Sequence, residues 1–150
     1  MATAGSTQAV LEGLTALAAA EEAMACRLMA DAAAIRYACL RDPVLAVAGE
    51  DRHHARLLLE ATGRRQSEPP PPAGGLAGSP EIRPGVPFLR LQEDREAKLT
   101  LAARYRALGH EAEVEGDGEV AALCRALAAE ETRHARVLLD VLAATDPYHS

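Results

Sequence analysis

Two short segments of the chain carry a carboxylate and a histidine at the same spacing. Asp51 lies three residues before His54, and Glu131 lies three residues before His134. On an α-helix, residues three apart share a face, so the two side chains of each pair can point at one metal ion. A single pair of this kind is weak evidence for a metal site. Two pairs inside matching decapeptides are much stronger evidence, and the rest of the chain should then supply further ligands.

The composition indicates one helical domain. The chain has 150 residues, which is enough for a single domain with a real core. Hydrophobic residues make up 49% of it and aromatic residues only 3%. Alanine and leucine dominate, and such a composition favours helices that pack closely through small side chains.

Charge and hydropathy exclude several classes of partner. The net charge of −6 argues against nucleic acid, because nucleic-acid-binding proteins usually present a basic face. No apolar run is long enough to predict a membrane span, and the first residues do not resemble a signal peptide. Three cysteines without a Cys-x-x-Cys pair fit a reducing, cytoplasmic setting with structural thiols.

Apolar residues at three- and four-residue spacing predict an all-α four-helix bundle formed as one domain over residues 1–150. The predicted helices cover residues 8–40, 43–62, 87–108 and 119–144. Pro43 favours a start of the second helix, since proline suits the first helical position. The glycine-containing, acidic residues 109–118 predict a turn. A Pro-rich stretch, residues 64–87, predicts a long crossover that makes helices two and three parallel.

The first two predicted helices each carry an acid within the apolar stripe. In the first helix the better stripe passes through Glu21, and a poorer register through Glu22 is the alternative. In the second helix the stripe passes through Asp51 and His54. Glu50 flanks these two residues and remains an alternative to Asp51 as a ligand.

The third and fourth helices extend the pattern. The third is predicted to turn Glu93 and Glu96 inward, and the fourth Glu131 and His134. Several buried carboxylates repel one another, and two divalent cations would neutralise most of their charge. Carboxylates with one imidazole per metal suit iron or manganese, with zinc as a further possibility. The predicted metal ligands are Glu21, Asp51, His54, Glu93, Glu96, Glu131 and His134.

The residues that carry this pattern resemble the rubrerythrins of the ferritin-like superfamily. The likeness is clearest from Gln92 to Leu139: residues 93–96 resemble the Glu-x-x-Glu of the third rubrerythrin helix, and residues 119–134 resemble the fourth-helix segment. The resemblance implies ligand roles for the seven residues just named. It also implies two iron ions and an oxidoreductase that reduces hydrogen peroxide or dioxygen.

Three features depart from the family pattern. Asp51 occupies a position where rubrerythrins have glutamate, the Pro-rich crossover has no clear counterpart, and no four-cysteine rubredoxin module is present in these 150 residues. An external electron donor is therefore expected. We also expect a homodimer, since bundles of this kind often pair through helix faces. The alternative functions are a ferroxidase or iron-storage protein, a di-iron oxygenase acting on an organic substrate, and a site that binds metal only structurally or not at all.

Overall fold

The computed structural model describes residues 7–65 and 87–145, which form a bundle of α-helices. The helices are α1 (Gln8–Ala33), α2 (Ala38–Gly63), α3 (Pro87–Val114) and α4 (Gly118–Thr145). Helix α1 pairs with α2 and α3 pairs with α4, while α1 also packs on α3 and α2 on α4. The predicted all-α four-helix bundle is confirmed. The crossover prediction falls almost entirely on residues 66–86, which lie outside the described residues.

Contacts between the helices fix their directions. Gly13 lies against Leu108, whereas Arg27 forms an ion pair with Asp94, so α1 and α3 are antiparallel. Helix α2 is also antiparallel to α1, since only residues 34–37 connect the two. Helices α2 and α3 are therefore parallel, as the predicted crossover requires.

The boundary between α1 and α2 differs from the prediction. Helix α1 ends at Ala33 rather than near residue 40, and α2 begins at Ala38 rather than at Pro43. Pro43 lies inside α2, where it removes one backbone hydrogen bond, to the carbonyl of Cys39. Cys39 is exposed, so water can solvate that carbonyl. The connection buries Ile35, which holds the turn against the core.

The turn between α3 and α4 is shorter than predicted. Helix α3 continues through Gly109 to Val114, because the glycine lies in the packed face against Cys124 and does not end the helix. The chain reverses at Gly116, whose φ of 80° is the left-handed conformation that glycine adopts without strain. Asp117 then accepts a hydrogen bond from the backbone N–H of Val120 and so caps the start of α4.

Two helical glycines should respond in opposite ways to alanine. A Cβ added at Gly49 has no atom within 4 Å, so Gly49→Ala should stabilise the protein by about 0.5–1 kcal/mol. A Cβ added at Gly109 lies 3.1 Å from Cβ of Cys124, so Gly109→Ala should destabilise it by about 1 kcal/mol or more. Thermal unfolding followed by circular dichroism measures both. An equal rise in the unfolding temperature of the two variants would contradict the close packing of α3 on α4.

The interior of the bundle is apolar except around a central polar layer and two charged groups near one end of α1. Within the described helices no segment is long and apolar enough to cross a membrane. The buried ionisable residues, each at most 4% exposed, are Glu21, Asp31, Asp51, His54, Asp94, Lys98, Glu131 and His134. Burying so many ionisable groups is costly unless they are paired or bind a ligand, so this layer is the candidate functional site.

Candidate metal centre

Three helices bring four potential metal ligands together in the middle of the bundle. These are Glu21 from α1, Asp51 and His54 from α2, and Glu131 from α4. Each offers one ligand atom, and the four atoms lie within 4.8 Å of one another. All four side chains are buried. The two sequence pairs thus belong to one shared cluster, in which Asp51 and Glu21, rather than Glu50 and Glu22, occupy the buried positions.

The two histidines of the repeated pairs face each other across α2 and α4. The rings of His54 and His134 stack with centroids 5.5 Å apart and an angle of 13° between their planes. Nδ1 of His54 lies 2.9 Å from Glu21 Oε2 and 3.1 Å from Glu131 Oε1. Nδ1 of His134 lies 3.2 Å from Asp51 Oδ1. Both imidazoles therefore turn the same nitrogen towards the buried carboxylates.

The outer side of the imidazoles forms the rim of the cluster. The carboxylate of Glu50, 43% exposed, contacts Nε2 of His134 and the guanidinium of Arg133. Glu130 belongs to a second group of possible ligands with His54 and His134, and it lies 2.8 Å from the same guanidinium. Glu50 thus lies at the rim, with its charge paired to Arg133.

Helix α3 presents a different face from the one predicted. Glu93 and Glu96 are exposed, and the buried charged residues are Asp94 and Lys98. The expected inward orientation of the two glutamates is wrong, and the structure does not bring them to the cluster. The register of α3 is set by its large apolar side chains, because these contribute most to burial. The buried face contains Leu91, Leu101, Tyr105 and Leu108.

Lys98 is the residue of this site that the sequence reasoning missed. Its ammonium contacts the Asp51 carboxylate directly and lies 2.9 Å from Glu131 Oε2 and 3.1 Å from Nδ1 of His134. It lies 4.0 Å from Glu21 Oε1. A positive charge thus occupies the centre of the acidic cluster, where a further carboxylate was expected.

Two signals in the sequence could have identified Lys98. It is the only lysine in the chain, in which all other basic residues are arginine. It also lies in the α3 stripe that contains Leu91, Leu101 and Tyr105, whereas the stripe through Glu93 and Glu96 continues with the smaller Thr100 and Ala103. Ranking the registers by side-chain size, rather than by the presence of acids, would have selected the correct face.

Tyr105 completes the surroundings of Glu21. Its hydroxyl donates a hydrogen bond of 2.6 Å to Oε2 of Glu21, and the whole side chain is buried. Burial and the nearby negative charge of Glu21 raise the pKa of Tyr105, so its hydroxyl stays protonated. Glu21 is thereby held through one oxygen, while Oε1 remains without a hydrogen bond.

Both imidazoles bind protons more tightly than an ordinary histidine. Burial alone would lower the pKa of His54, but its hydrogen bonds with Glu131 and Glu21 outweigh burial and raise that pKa to about 9. The pKa of His134 is also raised to about 9, because its hydrogen bonds with Asp51 and Glu131 outweigh burial and the opposing charge of Lys98.

The two glutamates of the cluster differ in their affinity for protons. Burial raises the pKa of Glu21 to about 7; His54 opposes this shift and Glu131 adds to it. Burial also disfavours ionisation of Glu131, but its hydrogen bonds with His134 and His54 hold the pKa of Glu131 well below its usual range. In the metal-free protein Glu131 is thus the fixed anion of the cluster.

Comparison with known proteins bears on the α3–α4 half of the chain. Residues 101–150 match the rubrerythrin family model. The match covers the α4 pair Glu131 and His134, and it confirms the resemblance to rubrerythrins over this third of the chain. The comparisons with curated proteins and with solved structures gave no match. Together, the rubrerythrin match and the buried carboxylate–histidine cluster suggest a dimetal site.

The donor set fits a metal ion on one side of the cluster better than on the other. Glu21 Oε1 and Asp51 Oδ2 are buried and accept no hydrogen bond. Such oxygens are costly unless a cation satisfies them, so the side near Glu21 and His54 fits a divalent metal ion. On the side near His134, α3 contributes the ammonium of Lys98 in place of a ligand.

Proposed function

We propose that this chain is a metal-dependent oxidoreductase, similar to rubrerythrins, that binds iron at the central cluster and reduces hydrogen peroxide or dioxygen. The observation that carries this proposal is the buried group of Glu21, Asp51, His54 and Glu131, whose ligand atoms lie within 4.8 Å of one another. Oxygen and imidazole ligands of this kind suit iron and manganese. The rubrerythrin match over residues 101–150 supports iron chemistry.

The protein residues would hold the ion and exclude bulk water. The ligating atoms available are the two orphan oxygens of Glu21 and Asp51, together with a carboxylate oxygen of Glu131 and Nδ1 of His54. The hydrogen bond from Tyr105 fixes the Glu21 carboxylate before any ion arrives, which reduces the ordering cost of binding. When bound, iron would supply the electron-transfer chemistry.

Reduction of peroxide at this site requires two electrons and two protons for each molecule converted to two molecules of water. The electrons would come from an external donor, such as a reduced iron–sulfur protein or flavoprotein. The Lys98 ammonium and the Tyr105 hydroxyl lie inside the cluster. Their N–H and O–H groups would donate hydrogen bonds to peroxide or dioxygen. Cytoplasm is the proposed setting, since no disulfide joins Cys26, Cys39 and Cys124.

Anaerobic titration with Fe²⁺ tests the metal site. The protein should bind the ion, and His54→Gln should weaken binding at least 10-fold, because it removes the one imidazole among the four clustered ligands. His53→Gln is the matched control. His53 is the neighbouring residue on the same helix but is exposed, so this variant should bind Fe²⁺ with unchanged affinity. Equal affinities for the two variants would overturn the proposed site.

Peroxide consumption tests the redox function. The iron-loaded protein, supplied with a chemical reductant, should consume hydrogen peroxide with two electrons taken up per molecule. His54→Gln should lose this activity and His53→Gln should retain it. Iron binding without any consumption of peroxide or dioxygen would overturn the oxidoreductase proposal while leaving the metal site intact.

A further inference from the structure

The ammonium of Lys98 lies in the position of a cation. It contacts the carboxylate of Asp51 and lies 2.9 Å from Glu131 Oε2 and 3.1 Å from Nδ1 of His134. Asp51, Glu131 and His134 are three of the four possible metal ligands in the two repeated sequence pairs. On its outer side, Nε2 of His134 contacts the Glu50 carboxylate. The possible metal ligands on this side of the cluster are therefore already in contact with a positive charge.

Charge balance leads to the same result. A bundle site for two divalent ions uses four carboxylates and two imidazoles, and the four negative charges match two dications. Here α3 contributes Lys98 to the cluster, whose fully buried carboxylates are Glu21, Asp51 and Glu131. Counted with both imidazoles neutral, as in the two-ion site, three carboxylates and one ammonium leave two negative charges, which balance a single divalent ion. Glu50 is not counted in this balance, because its carboxylate is 43% exposed at the rim, where it contacts Arg133.

The unsatisfied oxygens indicate where that single ion would bind. Three cluster oxygens accept no hydrogen bond: Oε1 of Glu21, Oδ2 of Asp51 and Oε2 of Glu131, of which the last lies 2.9 Å from the Lys98 ammonium. Oε1 of Glu21 is also the cluster oxygen lying 4.0 Å from Lys98, farther than the oxygens that Lys98 contacts. The side near Glu21 and His54 thus offers carboxylate oxygens that can bind a metal ion, whereas the side near His134 is already occupied by the ammonium.

We infer that the cluster holds one divalent metal ion per chain, beside Glu21 and His54, and that the Lys98 ammonium replaces a second ion. This inference rests on the proposed metal site but not on its redox activity. It changes the expected cofactor from two metal ions to one ion with a fixed protein cation beside it. Lys98 is a positioning residue in this arrangement: it neutralises Asp51 and Glu131 and holds them towards the ion.

Metal stoichiometry tests the inference directly. Titration of the full chain with Co²⁺ or Zn²⁺, followed by elemental analysis after desalting, should give one ion per chain. Lys98→Glu restores the fourth carboxylate and should raise the ratio to two. Arg136→Glu, an exposed charge reversal on α4, is the matched control and should leave the ratio at one. If the variant Lys98→Glu folds and still binds one ion, the charge argument is overturned.

Nuclear magnetic resonance provides a second readout that needs no variant. Because Lys98 is the only lysine, selective ¹³Cε-lysine labelling should give one side-chain signal. During titration with diamagnetic Zn²⁺ this signal should shift and reach its final position at one equivalent. A signal that continues to change up to two equivalents would indicate that a second ion displaces the ammonium, and would overturn the inference.

The number of metal ions bound per chain distinguishes a failure of this inference from a failure of the proposed function. Two ions bound to the unmodified chain would overturn the replacement by Lys98 but would support the metal site. No bound ion would overturn both. One ion bound with unchanged affinity in His54→Gln would place the ion elsewhere, and would contradict the side of the cluster assigned to it.

Discussion

Replacing Lys98 by methionine should destabilise the metal-free protein by about 3–5 kcal/mol, the usual cost of breaking a buried ion pair by removing one partner. Methionine fills a similar volume, so the loss reflects charge rather than a cavity. The fully buried carboxylates of Asp51 and Glu131 would be left without the ammonium that contacts them. Urea unfolding in the presence of a chelator measures the effect.

Two controls separate this charge effect from a general effect of mutation. Arg136→Met removes an exposed cation whose ion pair with Asp140 is 3.4 Å long, and should change stability by no more than about 0.5 kcal/mol. Adding Asp51→Asn to Lys98→Met should recover part of the loss, because it removes one of the unpaired charges. Comparable stability of Lys98→Met and Arg136→Met would contradict the role of Lys98 as the internal cation.

The metal-free protein should lose a few kcal/mol of stability between pH 6 and pH 9. The pKa of His54 and that of His134 are raised to about 9 from an ordinary 6.5, so their contribution is fully present below pH 6.5 and is lost as pH rises through 9. The pKa of Glu21 is raised to about 7, so its protonation also contributes stability that is lost as pH rises from 4.5 to 7. One pKa unit corresponds to about 1.4 kcal/mol. Urea unfolding with a chelator at several pH values measures this slope.

Variants and metal should change this pH dependence in defined ways. His54→Gln should flatten the slope between pH 6.5 and 9, whereas His53→Gln should leave it unchanged, since His53 is exposed. A saturating divalent ion should oppose the loss at high pH, because the ion binds the lone pairs that protons otherwise occupy. Constant stability of the metal-free protein from pH 6 to pH 9 would contradict the charged state assigned to the two imidazoles.

The dimeric state stays a prediction from the sequence. If two chains pair through a helix face, the exposed apolar side chains of the described helices are the candidates for that contact. Among these, Leu89 on α3 and Val114 at its end are 53% and 72% exposed. Sedimentation of the metal-free and metal-loaded chain would establish the oligomeric state.

The sequence by itself determined the helical bundle and most residues of its buried polar cluster. Strict three- and four-residue spacing placed Glu21, Asp51, His54, Glu131 and His134 on buried stripes, and the structure buries all five. On α1, α2 and α4 the acids share a stripe with apolar neighbours, so ligand chemistry and hydrophobic burial favour the same register. The parallel direction of α2 and α3 also followed from the sequence, through the length of the segment between them.

Only the tertiary structure decided the contribution of α3. Two registers of this helix carry acids, one with Glu93 and Glu96 and the other with Asp94, and ligand type favoured the wrong one. Burial of Leu91, Tyr105 and other large side chains outweighs the placement of a carboxylate, because apolar area provides most of the packing free energy. That register turns Lys98 into a centre already lined by carboxylates from three other helices, a juxtaposition that no local sequence pattern encodes.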